Sequence, residues 1–252
     1  MKFRIIARLD IKKNALIKGV HLEGVRVVGD PLERAHAYYL DGVDEILLID
    51  SVASLYQRNN LADIIYKICR EIFIPVTVGG GIRTVEDAQR LFDVGADKIA
   101  INTAAITDPS LLERLVSRFG AQAVVLSIQA KKDPINSDRW IAMTDNGREN
   151  SNLSVTSWLE IAKEYGFGEL LLTSIDQEGT GSGFDFDLLK LILPVVNVPV
   201  LISGGFGTSS HAVECFQVGA QAAVIAQAFH YNSLSINSLK NLMHSSNIPV
   251  RL

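Results

Sequence analysis

The sequence has few of the features that direct a chain to a membrane, a nucleic acid or a metal. It has two cysteines, Cys69 and Cys215, without a CxxC motif, and its five histidines are scattered. Neither a disulfide framework nor a metal site is therefore expected. The net charge of −4 gives no reason to expect a nucleic-acid or anionic-membrane partner. The N-terminus has only a short apolar run before Arg8 and Asp10, unlike a signal peptide or a membrane span. We expect a cytoplasmic protein with no cofactor.

The sequence does contain a long internal repeat. Residues 75–105 (PVTVGGGIRTVEDAQRLFDVGADKIAINTAA) correspond to residues 199–229 (PVLISGGFGTSSHAVECFQVGAQAAVIAQAF), an offset of 124 residues. The segment GVDEILLID from Gly42 matches GFGELLLTS from Gly166 at the same offset. A constant offset without a net gap indicates a duplicated half-domain.

Short apolar runs alternate with longer segments of helical period along the whole chain. We predict strands near residues 4–9, 45–50, 75–79, 97–102, 123–129, 169–174, 199–203 and 222–226, with a helix beginning at Asp30-Pro31. Continuous apolar strands between helices indicate a buried parallel sheet. Eight such units predict a single (β/α)8 TIM barrel over residues 1–252, with half-barrels of roughly 1–121 and 122–252. The alternative, a doubly wound open sheet, fits the repeat less well, because tandem half-barrels close and leave no edge strand.

Two of the predicted connections between a strand and its helix are unusually long. Residues 11–29 carry several cations, Lys18 among them, and residues 131–153 contain a hairpin turn at Asp145-Asn146-Gly147. Both follow the carboxyl ends of strands, where barrel active sites form. We interpret them as lids or substrate clamps.

The repeated Gly-Gly turns predict two phosphate sites. Gly80-Gly81 and Gly204-Gly205 each stand between a strand and a helix, where the backbone can approach an anion and the helix N-terminus offers free N–H groups. Neighbouring strand ends complete these two sites, which we call the first and the second cradle. The first cradle includes Asn102 and Thr103, and the second includes Glu178, Gly179, Ala226 and Gln227. The simpler explanation is that these glycines only permit tight turns, but two symmetric copies favour a substrate phosphorylated at both ends.

Charged residues stand at both ends of the predicted strands. Arg4, Glu45, Lys98 and Glu169 each open a strand, and together they predict a closed ring of ion pairs at the bottom of the barrel, as a hydrated plug or as a polar gate.

Asp10 ends strand 1 and can act as a general acid or base, although an Asp there is also a common cap. At the symmetric place stands Gln129, whose amide can hold a substrate but cannot exchange a proton near neutral pH.

Over essentially its whole length the chain resembles the cyclase subunit of imidazole glycerol phosphate synthase, the HisF family. The resemblance rests on RIIARLDIK, VGGGIRTVEDA, GADKIAINTAA, GELLLTSIDQEGT and the terminal IPVRL. It implies a barrel that takes ammonia from a partner glutaminase and closes an imidazole ring on a bis-phosphorylated ribulosyl substrate, releasing aminoimidazole carboxamide ribotide. The implied ammonia gate is Arg4, Glu45, Lys98 and Glu169, with Asp97 at the glutaminase interface. The implied phosphate and substrate positions are Lys18, Gly81, Asn102, Thr103, Gly179, Gly205 and Ala226.

The chain departs from that pattern around its chemical residues. Asp10 matches the family's first catalytic aspartate, but Gln129 replaces the second, and Arg8, Phe206, Glu178 and Gln227 also differ from the usual residues. One hypothesis is a working cyclase of histidine biosynthesis. The alternative is a diverged relative that passes ammonia to a separate amidotransferase acting on a surface-polysaccharide sugar, a branch that VASLYQRN, TDNGREN and His230-Tyr231 resemble. A third and weaker hypothesis is the related isomerase barrel of the same pathway, which needs no glutaminase.

Overall fold

A closed barrel of parallel strands forms the centre of the computed structural model, which describes residues 2–51 and 62–252. The VASLYQRN motif lies outside the described residues. The strands are β1 (Arg4–Lys12), β2 (Ala15–Val20), β3 (Glu23–Gly29), β4 (Glu45–Asp50), β5 (Val76–Gly79), β6 (Lys98–Ile101), β7 (Val124–Lys132), β8 (Trp140–Thr144), β9 (Glu149–Ser154), β10 (Glu169–Ser174), β11 (Val200–Ser203) and β12 (Ala222–Ile225).

The barrel closes because β1 pairs in parallel with both β4 and β12. Between them the order is β4, β5, β6, β7, β10, β11 and β12, and every neighbouring pair is parallel. The eight barrel strands coincide with the eight predicted apolar runs. The predicted TIM barrel is confirmed, and the open doubly wound sheet is excluded.

Helices lie between successive barrel strands. They are α1 (Pro31–Leu40), α2 (Ala62–Glu71), α3 (Val85–Asp93), α4 (Thr103–Thr107), α5 (Ser110–Phe119), α6 (Val155–Tyr165), α7 (Phe186–Ile192), α8 (Ser209–Val218), α9 (Gln227–His230) and α10 (Ile236–Ser245). As predicted, α1 begins at Pro31, and the Asp30 side chain accepts hydrogen bonds from the N–H groups of Leu32 and Glu33. Within the described ranges, no helix combines the length and apolar character needed to cross a membrane.

Two antiparallel hairpins extend from the carboxyl ends of β1 and β7. The second, β8–β9, turns at Asp145, Asn146 and Gly147, which all have positive φ, as the sequence predicts. The first, β2–β3, occupies residues for which the sequence indicated only a long connection. Its β-branched residues favour a strand, and the left-handed backbone at His21 and Leu22 reverses the chain.

The alternation of side chains along each barrel strand separates two apolar layers. Outward-facing residues such as Ile5 and Leu9 join the large core between strands and helices. A smaller cluster fills the barrel interior, namely Ile6, Leu47, Ala100, Val125, Leu171, Leu201, Ala222 and Val224. Because the strand period is two, Arg4, Arg8 and Asp10 share the inward face of β1 with Ile6.

Candidate active site

Four charged side chains form a ring at the bottom of the barrel. Arg4 Nη1 lies 2.6 Å from Glu45 Oε1 and 2.8 Å from Glu169 Oε1. Lys98 Nζ lies 3.2 Å from Glu45 Oε2 and 2.9 Å from Glu169 Oε2. Each carboxylate therefore contacts both cations, and the four side chains form the closed ring of ion pairs that the sequence predicts. Burial acts to lower the pKa of Arg4, but the two carboxylates outweigh it and raise that pKa.

The opposite end of the barrel, its mouth, contains a cavity of about 360 Å³. Its lining includes the first cradle, Gly80, Gly81, Asn102 and Thr103, together with Arg8, Arg83, Ser127, Gln129 and Thr173. The rise of a strand puts this mouth about 20 Å from the charged ring, measured along the six residues from Arg4 to Asp10. The barrel thus has a charged ring at one end and a cavity at the other.

The first cradle is built for a close backbone approach. Gly80 has a φ of +98°, and a Cβ placed on it would meet the Asp50 carbonyl oxygen at 2.3 Å. Helix α3 begins just beyond, with a capping box in which Thr84 Oγ1 accepts from the Asp87 N–H and Asp87 Oδ2 accepts from the Thr84 N–H, each at 3.1 Å. An anion placed in the cavity would meet the backbone of this turn.

Gln129 lies at the wall of the same cavity and is held by two amides. Its Oε1 accepts from Asn102 Nδ2 at 3.1 Å, and its Nε2 donates to Asn146 Oδ1 at 3.4 Å. The Asn102 amide also donates to the Met143 carbonyl at 3.0 Å. The structure therefore links Gln129 to the first cradle and to the turn of the β8–β9 hairpin.

Asp10 lies under the β2–β3 hairpin and does not line the large cavity. Its Oδ1 accepts from Arg8 Nε at 2.9 Å, and the adjoining space, shared with Lys18 and Asn146, is only about 10 Å³. Arg8, which lines the large cavity, also donates to Ser203 Oγ at 3.2 Å. Burial acts to lower the pKa of Arg8, but Asp10 and Glu178 outweigh it and raise that pKa. Arg8 is thus the group that connects Asp10 to the cavity.

The second cradle encloses far less space. Gly179, Gly204, Gly205, Ala226 and Gln227 surround about 20 Å³, together with Glu178 and Phe206. Glu178 forms an ion pair with Lys18, and both side chains are buried. Burial acts to raise the pKa of Glu178, but Lys18 and Arg8 outweigh it and lower that pKa.

His230 is buried behind this charged cluster. Its Nδ1 lies 2.7 Å from the hydroxyl of Tyr38, which is also buried. Burial, and next the charge of Lys18, lower the pKa of His230 to about 3, so its ring is neutral near pH 7. Burial raises the pKa of Tyr38 to about 12.

Asp97 lies at the bottom of the barrel and is exposed. Its Oδ2 accepts from the Val76 N–H at 2.8 Å, and it lines an open cavity of about 300 Å³ with Cys69, Phe73 and Pro75. Cys69 and Cys215 are both free. Among the described residues, no group of three or more His, Cys, Asp or Glu is placed to hold a metal.

Sequence reasoning missed several polar residues that line the large cavity, among them Arg83, Ser127 and Thr173. Ser127 precedes Gln129 by two residues on β7, and Thr173 follows Leu171 by two on β10. The period of two therefore gave a signal that both side chains face inward. Arg83 follows the Gly-Gly turn, and no residue period shows which way a side chain points after such a turn.

The fold and this mouth define a class of protein: a (β/α)8 barrel with Gly-Gly turns and a cavity at the carboxyl ends of its strands. A family model described as "Histidine biosynthesis protein" matches residues 4–235. The chain therefore belongs to the histidine biosynthesis protein family, as its motifs predict.

Its relatives include several proteins named imidazole glycerol phosphate synthase subunit HisF. The HisF of Legionella pneumophila is 56% identical over 204 residues, covering 81% of this chain and 95% of that protein. The HisF of Pyrococcus furiosus is 43% identical over 249 residues, which is 99% of this chain and 98% of that protein. The HisF of Streptococcus sanguinis is 41% identical over the full length of both.

Proposed function

We propose that the chain is the HisF-type cyclase subunit of an imidazole glycerol phosphate synthase. In this proposal it uses ammonia from a partner glutaminase to form imidazole glycerol phosphate and aminoimidazole carboxamide ribotide from a bis-phosphorylated ribulosyl substrate. The observation that carries it is the inward row of β1, on which Arg4 of the charged ring and Asp10 at the mouth stand at opposite ends. The names of the relatives support the same reading.

In this proposal each end of the barrel has its own role. The ring can admit a small molecule when one ion pair opens, and the apolar interior beyond it favours neutral ammonia, because burying an ammonium ion is costly. The first cradle holds one phosphate of the substrate through Gly81, Asn102 and Thr103. Asp10 acts as the general acid or base, with Arg8 fixing its carboxylate.

The direct test is turnover of the ribulosyl substrate with free ammonia. We expect measurable turnover by the wild-type chain and a loss of about 10²–10⁴-fold for Asp10→Asn, because the amide cannot exchange a proton. An Asp138→Asn variant, which changes an exposed carboxylate on the β7–β8 connection, is the matched control. Absence of turnover by the wild-type chain would refute the cyclase assignment.

A second function is favoured by the mouth itself. Gln129 offers no proton at the place where a second acid would stand, and Asp10 is engaged by Arg8. Such a barrel would still pass ammonia from a glutaminase to another amidotransferase, for amidation of a surface-polysaccharide sugar. It predicts a glutaminase that becomes active when the barrel is added, with no imidazole product; a glutaminase that stays inactive would exclude it.

The glutaminase is assigned to the bottom of the barrel, around Asp97, where ammonia would reach the ring. The adjoining Phe73 side chain is 80% exposed, which suits a partner surface. We also propose a cytoplasmic location, in keeping with two free cysteines, and no nucleic-acid or membrane partner.

A further inference from the structure

The two cradles differ in the room that they leave for an anion. The first opens into the cavity of about 360 Å³, whereas the second encloses about 20 Å³. One water needs about 10–15 Å³ of such space. A phosphate group is several times larger than a water, so the second cradle leaves it far less room than the first cradle does.

The carboxylate of Glu178 lines the second cradle. The side chain is 3% exposed, and its Oε2 lies 3.3 Å from the place where a Cβ on Gly204 would stand. The other oxygen, Oε1, accepts from Lys18 Nζ. An anion of the chain itself thus lies against the Gly-Gly turn that would otherwise face a ligand's phosphate.

The cations near the second cradle are paired within the chain. Lys18 binds Glu178 and Arg8 binds Asp10, so two cations and two carboxylates balance in a buried cluster. A phosphate entering there would need to displace Glu178, because burying a further anion without a free cation is costly. Lys18 belongs to β2, and the His21 N–H on the same hairpin donates to the Glu178 carbonyl at 2.8 Å. Displacement of Glu178 would therefore disturb the hairpin.

We propose that Glu178 is a specificity-determining residue that occupies the second cradle. The resting mouth then binds one phosphate, at the first cradle, and takes a second only after Glu178 and Lys18 separate. The inference rests on the phosphate-binding role given to the mouth in the proposed function. The test of this inference measures phosphate binding and not turnover, so a negative cyclase assay would not refute the inference.

The test is the stoichiometry of inorganic phosphate binding, measured on the full chain by isothermal titration calorimetry. We expect one phosphate per wild-type chain and two per chain in Glu178→Ala, which removes both the charge and the bulk from the second cradle. Asp138→Ala removes an exposed carboxylate of the β7–β8 connection that lines neither cradle, and should leave the stoichiometry at one. Adding Lys18→Met to Glu178→Ala should return it to one, because the second phosphate loses its cation.

Two further outcomes would overturn the proposal: two phosphates bound by the wild-type chain, or one or none bound by a folded Glu178→Ala variant. No binding by the wild-type chain would likewise overturn it, since the first cradle would then be inactive. Should Glu178→Ala fail to fold, Glu178→Asp shortens the side chain by one methylene group. This variant should still bind a second phosphate, with lower affinity.

Discussion

In the proposed cyclase a second acid would stand at Gln129, whose amide cannot exchange a proton near neutral pH. Its Oε1 accepts from Asn102 and its side chain lines the large cavity. We expect Gln129→Asp to raise the ammonia-dependent cyclase rate by about 10²–10⁴-fold, because a carboxylate can exchange a proton there. The control is Gln129→Asn, which has the shape of the Asp variant without its charge. Equal rates for the two variants would show that proton transfer at this position does not limit the reaction.

His230 makes the stability of the fold depend on pH. Its pKa of about 3 in the folded chain lies below the unfolded value of 6.5, so the unfolded chain binds more protons between those values. The contribution is complete above pH 6.5 and is lost as the pH falls, at about 1.4 kcal/mol per pH unit. We expect His230→Phe to remove this slope from urea unfolding between pH 6.5 and 5, with His244→Phe, an exposed site, as the control. A slope unchanged in His230→Phe would contradict the assignment.

The chemistry of single residues was only partly predictable from the sequence. The symmetry of the two half-barrels identified Gln129 as the unmatched partner of Asp10, since each ends the first predicted strand of its half. It could not show that Asp10 would be covered by the β2–β3 hairpin, because that depends on Lys18 meeting Glu178 across 160 residues of chain. The orientation of a buried charged side chain depends on the residue with which it forms an ion pair. The spacing of residues along the sequence does not reveal that residue when it belongs to the other half-barrel.

Helices α3 and α8 begin at corresponding places with different caps. At α3 the carboxylate of Asp87 accepts from the N–H of Thr84, whereas at α8 the Nδ1 atom of His211 accepts from Gly207 at 3.1 Å and Thr208 at 3.3 Å. Both arrangements fix the turn that follows a Gly-Gly pair. The repeat therefore preserves the geometry of the helix start while the capping group changes.

The cap of α3 can be tested by its effect on stability. We expect Thr84→Ala to lower the free energy of unfolding by about 1 kcal/mol, because the Asp87 N–H loses its acceptor. Ser245→Ala at the end of α10 removes a hydroxyl that only donates to the Asn241 carbonyl, and should cost less. Chemical unfolding of both variants measures the difference. Equal losses would mean that the Thr84 cap adds nothing beyond an ordinary helix hydroxyl.

Elements were predicted well where the pattern was local. The barrel strands are apolar runs bounded by turn residues, and α1 carries Asp30 and Pro31 at its start. The β2–β3 hairpin was not predicted, because its apolar residues do not alternate regularly over either strand, although β2 itself is largely buried. Its pairing depends on β1 extending past the barrel to Lys12.

In the proposed function the molecule as a whole separates an ammonia entrance from a reaction site, and this separation can be measured. Lys98 contacts both carboxylates of the ring, and it lies at the end of the barrel opposite the mouth. We expect Lys98→Met to change glutamine-driven turnover relative to turnover with free ammonia, because ammonia added to the solution can reach the mouth without passing the ring. The variant should also lose about 3 kcal/mol of unfolding free energy, since Glu45 and Glu169 then share Arg4 alone.

The control for the ring is Lys190→Met, which removes an exposed lysine from α7 on the outside of the barrel. It should leave the ratio of the two activities and the stability near their wild-type values. If Lys98→Met lowers both activities by the same factor, the ring acts only through stability. If the ratio alone changes while the first cradle still binds phosphate, the charged ring controls the arrival of ammonia, and the two ends of the barrel act as separate sites joined by its interior.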